Sequence, residues 1–142
     1  MPSLDWTLRR LRIQMQETLV VLFFIGMLGD AFTTFLGILG GLGIKIGNVN
    51  DLGAYAFALI VTSVITGLNI FTVDVFDRKE KIILPVWFVA VIVDFVTSLI
   101  GSFGFIQPGA NVFFAYILVF FLTMFITISP AMLRYIIKRP IR

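Results

Sequence analysis

Two acidic side chains, Asp30 and Asp94, stand near the middle of long apolar runs, and each opens the same pattern, Asp-x-x-Thr-Thr/Ser-x-x-Gly-x-x-Gly. Asp30, Thr33, Thr34, Gly37 and Gly40 match Asp94, Thr97, Ser98, Gly101 and Gly104 at a constant offset. A carboxylate at the centre of a bilayer costs about 2.5–3.5 kcal/mol on insertion scales, so something must offset that cost twice. No Lys, Arg or His lies inside any apolar run to do so. Four arrangements satisfy the acids: each is protonated, both share one proton, a cation fills the gap, or a basic residue of another subunit pairs with them. Carboxylates together with the hydroxyls of Thr33, Thr34, Thr97 and Ser98 offer only oxygen ligands, the type that hard cations accept. No group of residues has the spacing of a dedicated metal site.

The elements that must carry these residues are membrane helices. The chain has 142 residues, 59% of them hydrophobic and only 13% charged, far from the balance of a soluble domain. Four stretches reach the roughly 20 helical residues that cross a hydrocarbon core of about 30 Å: Thr18 to Ile44, Gly53 to Val73, Ile82 to Phe103 and Ala110 to Leu133. They lack the polar alternation of barrel strands, and lipid demands that backbone groups be satisfied internally, so helices are expected. The fold class read from the sequence is an all-α integral membrane protein with four transmembrane helices in a single bundle. Its two hairpins are expected to form a parallel internal repeat, with Asp30 and Asp94 approaching each other at the repeat interface.

Basic residues set the expected orientation. Arg9, Arg10 and Arg12 precede the first span, Arg78, Lys79 and Lys81 separate the second from the third, and Arg134, Lys138, Arg139 and Arg142 follow the fourth. The other two connections hold only Lys45, so both termini are expected on the cytoplasmic side. Residues 1–17 read as an interfacial amphipathic helix, with Leu4, Leu8, Leu11 and Met15 at helical spacing and Ser3 as its N-cap. The apolar run that follows is too long for a signal-peptide core and reads as a retained anchor. Residues 134–142 read as a basic cytoplasmic tail.

Helical spacing sorts the remaining residues. Gly26, Asp30, Thr33, Thr34, Gly37 and Gly41 fall on one side of the first helix, while Ala90, Asp94, Thr97, Ser98, Gly101 and Ser102 fall on one side of the third. Gly26, Gly37, Gly41 and Gly101 are the expected packing positions, since small residues let backbones approach. The blander reading of these stripes is packing alone, with hydroxyls bonded back to their own helix. Asn69 and Asp74 are secondary polar residues at the inner part of the second helix, and Asp74 is placed to pair with Arg78 or Arg134. Pro130, after Thr127 and Ser129, is expected to bend the fourth helix, with hydroxyls taking freed carbonyls. The loop containing Asn48, Asn50 and Asp51 reads as a connector, because it has too few oxygens for a calcium loop.

Absences narrow the function. Without Cys or His, thiol catalysis, disulfides, His-ligated haem, iron–sulfur clusters and the usual general base are removed, and no cofactor or enzymatic activity is expected. Gly37 to Gly47 contains Lys45 but lacks phosphate-loop spacing. The net charge of +3 is small and dispersed, fitting membrane lipids as partners and arguing against nucleic acid. No Asn lies in a glycosylation sequon, in keeping with a prokaryotic inner membrane or an organellar equivalent. The favoured expectation is a small transport or channel component that binds a proton, monovalent cation or cationic solute at Asp30 and Asp94. The alternative is a non-catalytic subunit or assembly factor whose acids pair with a partner's basic residues. Four spans enclose little volume, so either role calls for a homo-oligomer or a larger membrane complex.

Overall fold

The computed structural model describes residues 4–44, 47, 51–78, 83–107 and 109–138, with the side chains of 4–7, 9, 77 and 78 outside that description. Those residues form five helices in order: α1 (Leu4–Gly41), α2 (Leu52–Ile70), α3 (Thr72–Arg78), α4 (Ile83–Phe103) and α5 (Val112–Lys138). Four of them are long and apolar enough to cross a membrane, as the sequence predicts. Among the described residues there is no strand.

The helix limits differ from expectation in ways that local chemistry explains. α1 runs unbroken for 38 residues, so the expected boundary near residue 17 is absent. No Gly or Pro occurs between Leu4 and Ile25 to interrupt it. At 1.5 Å per residue it is about 57 Å long, well beyond the hydrocarbon thickness, and Leu8, Leu11 and Met15 on its first turns are exposed. It stops at Gly43, which takes the left-handed conformation (φ 73°) that Gly adopts at no steric cost. The Gly43 amide then donates to the Gly40 carbonyl and the Ile44 amide to the Leu39 carbonyl, both at 3.0 Å, satisfying carbonyls the helix end leaves open.

The second span ends earlier than expected, at Ile70, and Asp74 therefore belongs to the separate short helix α3. Thr72 turns its hydroxyl to the Asn69 carbonyl (2.6 Å) and receives the Trp87 indole N–H (2.8 Å), which fixes the junction against α4. α5 starts where the Asn111 side chain accepts the Phe114 amide (3.2 Å), an N-cap, and continues to Lys138 beyond the expected end. It runs through Pro130 without interruption; the adjacent Ser129 hydroxyl bonds the Phe125 carbonyl at 2.7 Å. The expected basic tail thus begins as helix, with Arg134 and Lys138 on its last turns.

The bundle is up-down-up-down. α1 packs against α4, α5 and α2, and α2 also touches α4 and α5. Gly26 meets Ser129 and Phe23 stacks on Phe125 (5.8 Å), while Asp74 reaches Arg134 and Lys138. The early part of α1, the α2–α3 junction and the end of α5 therefore share one end of the bundle. The interior is polar and small: eleven buried polar or charged residues stand against eight buried hydrophobic ones among those described. Large apolar side chains such as Phe113, Phe121 and Ile60 face outward. That inside-out distribution suits lipid, where packing and interhelical hydrogen bonds hold helices together in place of hydrophobic exclusion.

Candidate functional site

Close packing of α1 on α4 creates the site. A Cβ added at Gly37 would lie 1.8 Å from the Thr97 carbonyl oxygen, and one added at Gly101 would lie 2.0 Å from that of Thr33. The two contacts are reciprocal: the Gly of each segment receives the first Thr of the other. With the backbones this near, short side chains can bridge the helices.

Asp30 and Asp94 are both fully buried and face each other. Thr34 Oγ1 donates to Asp94 Oδ1 at 2.7 Å, and Ser98 Oγ is hydrogen-bonded to Asp30 Oδ1 at 3.2 Å. Thr34 and Ser98 are themselves 2.7 Å apart. Each helix thus lends its second hydroxyl to the other helix's acid, again reciprocally. Thr33 and Thr97 behave differently. Thr33 bonds back to the carbonyls of Gly29 (3.0 Å) and Asp30 (3.1 Å), and Thr97 to those of Val93 (2.8 Å) and Asp94 (3.0 Å). For this pair the blander expectation holds, because their hydroxyls are spent on their own helices and do not reach the acids.

The surrounding helices complete the shell unequally. Asn69 on α2 donates its side-chain amide to Asp94 Oδ2, which places it inside the site and not at its edge. On the other side Thr127 of α5 approaches the Asp30 carboxyl. Neither Thr127 Oγ1 nor Asp30 Oδ2 makes a regular hydrogen bond, although both residues are more than nine-tenths buried. Asn69 was detectable by register, since Thr62, Thr66 and Asn69 lie at i, i+4 and i+7 on α2. Thr123 bonds Ser102 (3.3 Å), which lies one turn along α4 from Ser98 on the Asp94 face, where its helical spacing puts it.

Other expected positions separate into those the fold uses and those it does not. Gly26 packs against Ser129, where a Cβ would lie 2.1 Å from the hydroxyl oxygen. Gly41 is exposed, with nothing within 4 Å of an added Cβ, so the expected Gly37-x-x-x-Gly41 contact is made by Gly37 alone. Gly41 is the last residue of α1, beyond the close approach of α4. Asp74 bonds Lys138 at 2.8 Å and Arg134 at 3.3 Å, the second as the sequence allowed. The alternative partner Arg78, like Asn48, Asn50, Lys45, Lys79 and Lys81, lies outside the described side chains.

No protein-family model matches the chain, and no curated protein or solved structure matches it either.

Two openings come near the pair. A cleft of about 440 Å³ among the far ends of α1, α4 and α5 includes Thr33 and Ser102, each about one turn from the Asp–hydroxyl cluster. A groove of about 480 Å³ between α1 and α2 is lined by Ala31, Phe35, Thr62, Thr66 and Ile70 and does not include Asn69. The Thr62 and Thr66 hydroxyl oxygens are buried without partners. Among the described residues no group of three or more metal-ligating side chains forms.

Proposed function

We propose that this chain is a small membrane transport or channel component that binds one monovalent cationic species, a proton or an ion of similar charge, at Asp30 and Asp94. The observation that carries this reading is the burial of two facing carboxyl groups in the membrane-spanning part of the bundle with no basic residue at their depth. Intramembrane acids of this kind mark ion and proton pathways. A packing seam alone would be served by Ala or Ser at lower cost. Pairing with a partner's Lys or Arg fits the geometry less well, because a long cationic side chain would have to enter a closed bundle core. Treating the hairpins as parallel copies is supported by the reciprocal Gly and hydroxyl contacts of residues 30–37 and 94–101. We place the chain in a prokaryotic inner membrane or organellar equivalent, working as a homo-oligomer or within a larger complex.

The test is flux. The purified chain reconstituted in liposomes is expected to pass protons or alkali cations, with Asp30→Asn and Asp94→Asn each lowering flux to the level of empty vesicles. A wild-type chain indistinguishable from empty vesicles would overturn the transport reading and favour the role of a non-catalytic subunit.

A further inference from the structure

Four oxygens stand in a line between the acids: Asp30 Oδ1, Ser98 Oγ, Thr34 Oγ1 and Asp94 Oδ1, separated by 3.2, 2.7 and 2.7 Å. Each of these three contacts requires one hydrogen. The two hydroxyls bring two, and an ionised carboxylate brings none. With both acids ionised, one short oxygen–oxygen contact in a dry core would have no hydrogen in it, and two like charges would face each other. One added proton completes the line.

The outer atoms show where it sits. Asp94 receives two donors, Thr34 Oγ1 and the Asn69 amide, the environment of a carboxylate. Asp30 Oδ2 has no donor bonded to it; two polar groups stand beside the Asp30 carboxyl without a regular donor bond to it, the Thr127 hydroxyl, itself unpartnered, and the Asp94 carboxyl, which it meets directly. With the proton on Asp30 Oδ1, the Thr127 hydrogen can serve Oδ2, so these two unpartnered atoms match as donor and acceptor with no further hydrogen. We infer that the site holds a single proton, carried by Asp30 and hydrogen-bonded through Ser98 and Thr34 to an ionised Asp94.

This names the bound species and rests on the transport reading for its purpose. It also supplies a transfer step that balances. The Asp30 O–H bond breaks as its hydrogen passes to Ser98 Oγ, the Ser98 hydrogen passes to Thr34 Oγ1, and the Thr34 hydrogen passes to Asp94 Oδ1. Three O–H bonds break and three form, one proton has moved from α1 to α4, and no electron changes owner. Thr34 and Ser98 are the relay, with Asn69 and Thr127 as positioning residues that make the two ends unequal.

Infrared difference spectroscopy of the chain in lipid vesicles tests this at neutral pH. The expected result is the carbonyl band of one protonated carboxylic acid per chain, removed by Asp30→Asn and kept in Asp94→Asn. Ser98→Ala should shift that band by breaking its hydrogen bond, and Ser98→Thr should restore it. No acid band in the wild type, a band twice that size, or a band removed by Asp94→Asn but kept in Asp30→Asn would each overturn the assignment. The wild-type band needs no variant to fold. Absent flux with the band intact would remove the transport reading and leave the single proton standing, whereas flux without the band would do the opposite.

Discussion

A carboxylate's behaviour in this chain is decided by what surrounds it, and three aspartates illustrate the range. Asp30 and Asp94 are closed off by neutral donors inside the bundle. Asp74, on α3 at the bundle's end, is held below the ordinary carboxylate range, first by the hydrogen bond from Lys138, with the Lys138 and Arg134 charges and the Arg134 bond adding to it against a smaller opposing effect of burial. A carboxyl depressed in the folded state stabilises the fold fully above its unfolded value of about 4 and loses that contribution as pH falls through the lower folded value. Asp74→Asn should therefore unfold at lower temperature than wild type in detergent at neutral pH. The gap should close as the solution is acidified below the ordinary carboxylate range; a gap unchanged by acid would show that the ion pairs contribute nothing. The side chain is 21% exposed, so salt should narrow the gap as well.

At the scale of helices, glycine placement decides which surfaces meet. Gly37 and Gly101 sit where the partner backbone occupies the space of a Cβ, and α1 must move away from α4 to admit even a methyl group. Gly37→Ala or Gly101→Ala should cost about 1–3 kcal/mol of stability by overpacking and should lengthen the Thr34–Ser98 contact. Gly41→Ala should be neutral or raise stability by up to about 1 kcal/mol through helix propensity. Unfolding of detergent-solubilised variants checks both, and equal costs at Gly37 and Gly41 would contradict the packing described. These positions also show what sequence could and could not reveal. The four spans were legible because apolar length in lipid has one solution, a helix, and the Asp–Thr–Gly spacing placed the seam on the correct faces. The ends were less legible: Gly41 fits the small-residue spacing but lies past the crossing, and Asp74 falls outside α2 because the Thr72 hydroxyl and Trp87 fix a break that hydropathy does not register. Which hydroxyl bonds its own helix and which bridges, Thr33 against Thr34, depends on a rotation of about 100° per residue relative to a partner whose position the sequence leaves open.

For the whole molecule, charge and topology have to agree. Ten of the eleven basic residues fall before the first span, between the second and third, or after Leu133, and the remaining one, Lys45, falls between the first and second in sequence. The contacts of Gly26 with Ser129 and of Asp74 with Arg134 and Lys138 gather the first and last of those regions, with the α2–α3 junction, at one end of the bundle. An even number of spans permits this, and the positive-inside rule predicts that end on the cytoplasmic side. Because the chain has no native cysteine, single cysteines report the orientation without background. Arg12→Cys should react with a membrane-impermeant maleimide only after the membrane is breached, whereas Gln107→Cys, exposed beyond the end of α4, should react from outside in intact cells. The reverse pattern would turn the bundle over, exchanging the sides served by the Thr33–Ser102 cleft and by the charged end. Labelling of both sites from outside in the same population would mean dual insertion.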